Sequence, residues 1–173
     1  MALIAEEVVE EWLNRKGYFT IRGAKNGLYE ADILAIKPDN NPPKLKHFEI
    51  SVSYNPMGYI GGNSNAKKRS SEEIVEGVNQ WIEKKFYHRK KVEIRDRLVL
   101  GEWKYCVVFG KLRHPEEQRV LLGDDRLSEV HSFNQIVDQL KTQPPLGFTS
   151  SANELVNLIL MSNDLGFEYP NKS

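Results

Sequence analysis

The chain has little of what usually marks a secreted, membrane or zinc protein. It has one cysteine, Cys106, in 173 residues, which excludes an intrachain disulfide and a cysteine-rich zinc site. No apolar run approaches the length that spans a bilayer, and the N-terminal segment already carries an acid at Glu6, so no signal-peptide core is expected. These absences predict a soluble, cytoplasmic protein with no membrane partner.

The chain also has no excess of charge of either sign. Lys plus Arg and Asp plus Glu are both 24, so the formal net charge is zero and points to no class of partner. With 40% hydrophobic and 28% charged residues, a chain of 173 residues can bury a core without disulfides or metal. We expect a single domain over residues 1–173.

Helical spacing of apolar side chains predicts three helices, and a capping motif predicts a fourth. The three spaced segments are residues 3–16, 133–141 and 152–161. Ser70 and Glu73 form a capping box, which opens a long helix. The segment before it, residues 54–69, has no periodicity and carries three glycines. A loop of that length is typical of a functional segment.

Strand patterns alternate with these helices. An extended piece at 18–21 and a turn at 23–27 precede two predicted strands, 28–36 and 46–53. A third strand, 103–109, is apolar on both faces, which is typical of a strand covered on both sides. The order predicts an α/β layered domain, with helices packed on a sheet.

Acidic side chains interrupt the apolar faces of the first two predicted strands. Glu30 and Asp32 share one face of the first strand, and Glu49 lies with His47 on one face of the second. If the strands pair as a hairpin with those faces matched, Asp32 and Glu49 converge. Two carboxylates pressed together on a partly buried face repel each other unless a cation lies between them. Such oxygen ligands suit Mg²⁺ or Mn²⁺.

Each of these side chains also has a simpler interpretation. Glu30 and Asp32 fit solvated positions on an edge strand. Glu6 borders the apolar stripe of the first helix and would be a third acid of the group, but the helix dipole equally favours an acid there. His47 lies on the same strand face as Glu49 and is a candidate general base, although a surface residue at a strand end is the more typical interpretation.

Three short motifs, taken in order, resemble a known superfamily. They are Glu6-x-x-Val9-x-x-x-Leu13-x-x-x-Gly17-Tyr18, Glu30-Ala31-Asp32-Ile33-Leu34-Ala35 and Phe48-Glu49-Ile50-Ser51. Their order and spacing are similar to those of the PD-(D/E)XK nucleases, especially the restriction-endonuclease-like and Holliday-junction-resolvase-like members. The resemblance covers residues 1–110. It implies a restriction-endonuclease-like core with a mixed central sheet, which residues 111–173 extend within the same domain with extra C-terminal helices.

The resemblance also implies roles for particular residues. In the family, acids at the positions of Asp32 and Glu49 hold Mg²⁺ or Mn²⁺, and the carbonyl at the position of Ile50 completes the metal shell. A glutamate on the first helix, here Glu6, assists. The implied activity is metal-dependent hydrolysis of phosphodiester bonds in nucleic acid, with DNA as the expected partner. Many members of the family act as dimers, so the resemblance is also compatible with a homodimer.

The chain departs from the family motif at Ser51, where the family has a lysine. A serine hydroxyl cannot supply the positive charge that stabilises the attacking hydroxide and the charge on the phosphate. We expect Lys67 or Lys68, at the end of the glycine-rich loop, to replace that lysine, and Gln80 on the long helix to support the site. In the alternative interpretation, Ser51 marks a nuclease-fold protein that no longer cuts and serves as a DNA-binding or protein-interaction module.

A basic run without any acid follows on the long helix. Its members are Lys84, Lys85, His88, Arg89, Lys90 and Lys91. Such clusters hold phosphates without reading sequence, although a solvated helix end has the same composition. Taken together, these patterns favour a Mg²⁺-dependent endonuclease whose basic run grips the nucleic-acid backbone.

Overall fold

The computed structural model describes residues 2–39, 42–53, 58–61 and 68–142, together with the single positions 154, 157, 158 and 161. The continuous described stretches contain five α-helices and five strands. The helices are α1 (Ala2–Arg15), α2 (Ser71–Ile82), α3 (Arg89–Leu98), α4 (Pro115–Leu122) and α5 (Phe133–Thr142). The strands are β1 (Phe19–Asn26), β2 (Tyr29–Lys37), β3 (Lys44–Ser51), β4 (Trp103–Phe109) and β5 (Leu127–Ser132). A π-helical turn, Glu83–Tyr87, follows α2 directly.

The strands form one mixed sheet in the order β1-β2-β3-β4-β5. The first three strands are antiparallel neighbours, whereas β4 lies parallel to β3 and β5 lies parallel to β4. Helices flank this sheet, which confirms the predicted α/β class. A parallel pair needs a crossover, and the segment α2–π turn–α3 supplies it between β3 and β4.

Helices cover the sheet on both faces. On one face, Val9 and Trp12 of α1 and Ile136 of α5 pack with Phe48 and Val108 from the strands. On the other face, α2, the π turn and α4 bury a second cluster around the strand residue Val107; its members also include Val78, Phe86 and Leu121. Adjacent residues of β4 therefore serve opposite faces, as its unbroken apolar run predicts.

The structure confirms the predicted start of the long helix. The Ser70 hydroxyl accepts from the backbone N–H of Glu73, and the Glu73 carboxylate accepts from the backbone N–H of Ser70. The helix is not continuous to its predicted basic end, because the π turn and His88 separate α2 from α3. This interruption places two basic residues, Lys85 and Lys91, on separate elements.

Two other elements differ from the sequence prediction. The extended piece and turn expected at 18–27 are one eight-residue strand, β1, and the chain turns only at Gly27 and Leu28. Helix α4 was not predicted, because its eight residues carry too few apolar positions to show a period. The predicted helix at 152–161 lies outside the continuously described residues. Of the helices in the described part of the chain, none is long and apolar enough to cross a membrane.

Candidate functional site

The β2–β3 hairpin brings two acids to the same end of the sheet. The strands pair with Ile33 opposite Phe48 and Leu34 opposite His47, so Asp32 and Glu49 lie just beyond this paired stretch. Oδ2 of Asp32 accepts a hydrogen bond from the backbone N–H of Ile50 at 2.7 Å. The alternation of the two strands therefore predicted the neighbouring positions of the two acids.

Glu49 is buried and is held by three cationic or polar side chains. Its side chain has no exposed surface. Oε1 accepts from Nε2 of His47 at 2.9 Å and from Nζ of Lys91, and Oε2 accepts from Nζ of Lys85 at 2.7 Å. Burial alone would raise the pKa of Glu49, but the bond from His47 and the charges of Lys85 and Lys91 lower it to about 2. Glu49 is therefore an anion at every physiological pH.

The proton of His47 is fixed on one nitrogen by Arg95. Nη1 of Arg95 lies 3.0 Å from Nδ1 of His47, and a guanidinium can only donate, so Nδ1 must accept. The proton then sits on Nε2, which donates to Glu49. Burial lowers the pKa of His47 to about 4, so the ring is neutral at pH 7. The same Nη1 donates to the carbonyl of Phe86 at 2.9 Å, which ties the π turn to this network.

The pKa of Asp32 is shifted in the opposite direction to that of Glu49. Burial, followed by the charge of Glu49, raises its pKa to about 7, although Lys85 and the Ile50 N–H act in the other direction. The carboxyl is thus about half protonated at neutral pH. Two neighbouring acids have pKa values on opposite sides of their usual range, which is typical of sites with a chemical role.

Asp32 and Lys85 open into a cleft of about 340 Å³. The residues that line it are Leu28, Tyr29, Glu30, Asp32, Lys84, Lys85 and Lys91. The two lysines bound to Glu49 differ in access, since the Lys85 side chain is 31% exposed and the Lys91 side chain only 5%. A ligand in the cleft can therefore reach Lys85, whereas Lys91 acts mainly as a buried counterion.

Glu6 and Glu30 lie at the border of this group. Glu6 is buried, and its pKa is raised by that burial, then by the charge of Glu30, with Glu49 also contributing. Glu30 lines the cleft and pairs with Lys25 at 3.1 Å. Glu6 thus lies close enough to Glu30 and Glu49 for their charges to raise its pKa.

The structure describes only one of the two lysines that the sequence suggested as replacements for the motif lysine. Lys67 lies outside the described residues. Lys68 is exposed, and none of the contacts among the described residues joins it to Asp32 or Glu49. Ser51 is the last residue of β3, where its carbonyl accepts from the backbone N–H of Gly110 at 2.9 Å. The ammonium groups that reach Glu49 belong to Lys85 and Lys91.

The basic run is divided among three environments. Lys85 and Lys91 bind Glu49, and Lys84 is exposed at the cleft. Arg89 and Lys90 pair with Glu93 of α3, at 3.0 and 3.1 Å. The expectation that the whole run faces nucleic acid is therefore too broad, because Lys91 is buried.

Two supporting residues also differ from expectation. His47 has no exposed surface, which corrects the interpretation as a surface residue at a strand end. Gln80 is exposed and donates to Glu76 of its own helix at 2.8 Å, so it does not line the cleft. Arg95 was missed altogether, as was the role of Lys85.

The sequence does contain a signal for these cations. Lys85 follows Ile82 by three residues and Val78 by seven, so helical spacing places it on the buried stripe of α2. Lys91 precedes Ile94 by three residues in the same way. A lysine on a buried stripe needs an anion, which the neighbouring sheet supplies.

No protein-family model, curated protein or solved structure matches this chain significantly. Among the described residues, no group of three or more His, Cys, Asp or Glu is arranged to hold a metal ion. What the site does has to follow from two carboxylates, two lysines and the cleft beside them.

Proposed function

We propose that the protein is a metal-dependent phosphodiester hydrolase of the PD-(D/E)XK type that acts on nucleic acid, with DNA as the first substrate to test. One observation carries the proposal: Asp32, a carboxyl whose pKa burial and Glu49 raise, lies beside Glu49 and the Lys85 ammonium at an open cleft. The order of the three motifs along the chain supports the same family.

In this proposal the two acids are the ligands of a divalent cation. Carboxylate oxygens are ligands that Mg²⁺ and Mn²⁺ prefer, and Mg²⁺ usually takes only one or two carboxylates and fills its other positions with water and phosphate oxygens. Asp32 and Glu49 would hold the ion. When bound, such a cation polarises the scissile phosphate and lowers the pKa of water. Burial and the charge of Glu49 raise the pKa of Asp32, and a cation bound beside it would lower that pKa.

Lys85 takes the role of the family's motif lysine, whose position Ser51 occupies in this chain. Its Nζ lies 2.7 Å from Oε2 of Glu49. Burial would lower the pKa of Lys85, but the charges of Glu49 and Asp32 raise it, so the side chain is an ammonium at neutral pH. An ammonium in this position can orient the attacking water and stabilise charge that develops on the phosphate.

Binding without cutting is a second function, and one observation favours it. Ammonium groups contact both oxygens of Glu49, Lys91 on Oε1 and Lys85 on Oε2. With these contacts kept, the cleft offers positive charge to a phosphate instead of carboxylate oxygens to a cation. The protein would then hold the nucleic-acid backbone through Lys84 and Lys85 and cut no bond.

A cleavage assay separates the two functions. Wild type, Asp32→Asn, Lys85→Met and the control Lys104→Met are incubated with duplex, branched and single-stranded DNA and with RNA, each with Mg²⁺ or Mn²⁺. We expect metal-dependent cutting that falls by about 10²-fold or more in Asp32→Asn and Lys85→Met, the size expected for loss of one charge-stabilising group. The control removes an exposed lysine that does not line the cleft and should cut almost normally.

The choice of variants follows from burial. Glu49→Ala would leave Lys91 buried without its anion and risks unfolding the protein. Cutting that survives Asp32→Asn would contradict the hydrolase. Salt-sensitive DNA binding by a wild type that cuts none of these substrates would establish the second function instead.

A further inference from the structure

A fully exposed leucine stands at the mouth of the cleft. Asn26 pairs with Tyr29 across the β1–β2 hairpin, so the turn consists of Gly27 and Leu28 alone. Leu28 is 102% exposed, the highest value among the exposed large hydrophobic residues of the described part of the chain. It also lines the cleft that holds Asp32.

The fold does not need a leucine at this position. Gly27 has φ of +63°, the left-handed conformation that a two-residue hairpin turn with glycine first requires. The turn geometry therefore depends on Gly27, and the next position is one where polar residues such as Asn, Asp or Ser are common. Since Leu28 buries none of its surface, its apolar side chain adds nothing to packing.

Both residues that flank the turn contact helix α3 or its N-cap residue. The Tyr29 ring stacks on His88, with centroids 3.9 Å apart and planes 15° apart. Nδ2 of Asn26 donates to Oε2 of Glu93 on α3 at 2.8 Å. The apolar tip is thus held in place at the cleft instead of swinging freely on its hairpin.

Charged side chains of both signs line the cleft at the tip. Lys84 and Lys85 line it together with Glu30 and Asp32. Lys25 and Arg89 have side chains that are 63% and 88% exposed, and they pair with Glu30 and Glu93. A phosphate backbone that lies along these cations would bring bases, the apolar part of a nucleic acid, against Leu28.

We propose that the Gly27–Leu28 turn is a wedge that enters a base step of duplex DNA next to the phosphate in the cleft. The proposal rests on the proposed function for the cleft itself. Apolar side chains that enter a step unstack it and kink the duplex, and the cost is lowest at flexible or mismatched steps. The substrate class is therefore a duplex with an easily opened step, in preference to uniform, fully paired DNA.

The test measures unstacking directly. A duplex carries 2-aminopurine next to a mismatch, and its fluorescence rises when the base loses its stacked neighbour. Wild type, Leu28→Ser, Leu28→Met and the control Leu100→Ser are added with Ca²⁺ in place of Mg²⁺, so that binding is followed without turnover. Leu100 is 80% exposed and does not line the cleft, so its variant controls for the loss of an exposed leucine.

With Leu28→Ser we expect the fluorescence increase to be at least fivefold smaller than with wild type. The preference for the mismatched over the matched duplex should disappear. Leu28→Met should restore both, and Leu100→Ser should behave as wild type. Equal unstacking and equal preference in wild type and Leu28→Ser would overturn the wedge. So would an effect of Leu28→Ser that appears only as the loss of protein self-association in the absence of DNA.

The wedge and the hydrolase can fail separately. If Leu28-dependent unstacking occurs but no DNA is cut with Mg²⁺ or Mn²⁺, the wedge stands and the hydrolase fails. If cutting depends on Asp32 and Lys85 while the duplex stays stacked, the hydrolase stands and the wedge is wrong. A wild type that does not bind DNA at all would overturn both.

Discussion

The sheet carries two carboxylate clusters that look alike in their partners. Glu49 on β3 bonds to a histidine two residues away and to lysines from the π turn and α3. Glu129 on β5 also bonds to a histidine two residues away, His131 at 3.1 Å, and to a lysine, Lys46. The pKa of each glutamate is lowered to about 2.

The clusters differ in burial and in what stands beside them. The Glu129 side chain is 32% exposed, whereas the Glu49 side chain has no exposure at all. Glu49 also has a second acid, Asp32, next to it, and that acid keeps a pKa of about 7. A paired glutamate alone is a structural feature. A neighbouring carboxyl that burial and the charge of Glu49 keep partly protonated near neutral pH is what marks the first cluster as the candidate site.

The largest expected contrast is in stability when each glutamate is neutralised. Glu49→Gln should lower the free energy of unfolding by about 3–5 kcal/mol, because it leaves Lys91 buried without an anion. Glu129→Gln should cost about 1 kcal/mol or less, since its partners are partly solvated. Urea denaturation of both variants measures the difference, and equal losses would contradict the distinction between the clusters.

A smaller contrast is expected between the two lysines of Glu49. Lys91→Met should destabilise the fold by about 2–3 kcal/mol, because a buried ion pair loses one partner. Lys85→Met should cost about 1 kcal/mol or less, since the Lys85 side chain is partly solvated, while it removes cleavage. Urea denaturation and cleavage are measured for both variants. If Lys91 were the reacting lysine, cleavage would be lost in Lys91→Met and kept in Lys85→Met.

The smallest contrast concerns Asp32. Its pKa in the folded protein is about 7, above the ordinary value of 3.8, so between these pH values the folded state holds a proton that the unfolded state has lost. Wild-type stability should therefore fall as the pH rises from about 4 to 7 through this group. Asp32→Asn lacks this loss and should be more stable than wild type at pH 8 but not at pH 4. Thermal or urea unfolding at both pH values checks the sign, and an Asn variant less stable at pH 8 would refute it.

The sequence predicted the part of the site that depends on local alternation. Period-two patterns in β2 and β3 put Asp32 and Glu49 on matching faces, because a one-residue slip would turn the apolar side chains to the wrong face. The unbroken apolar run of 103–109 predicted a strand covered on both faces, as β4 is, and the Ser70 capping box marked the start of α2.

The cations of the site could not be predicted in the same way. Helical spacing puts Lys85 on the apolar stripe but does not say which anion it meets, because its contact with Glu49 spans 36 residues of chain. Nothing in the residue pattern indicated the π-helical turn that carries it. Arg95 meets His47 across 48 residues of chain, a contact set by how α3 packs on the sheet. His47 was expected at the surface because period-two alternation gives the face of a side chain but not whether a helix covers that face.

The most direct test of the central claim is a pH titration of the Asp32 carboxyl carbon by NMR, with and without Mg²⁺. Asp32→Asn identifies the resonance. We expect a pKa near 7 in the free protein, because burial and Glu49 disfavour the ionised form. With Mg²⁺ the pKa should fall well below that value, since a cation shared with Glu49 supplies the missing charge. A pKa near 4 that does not respond to Mg²⁺ would contradict the metal site and the hydrolase built on it.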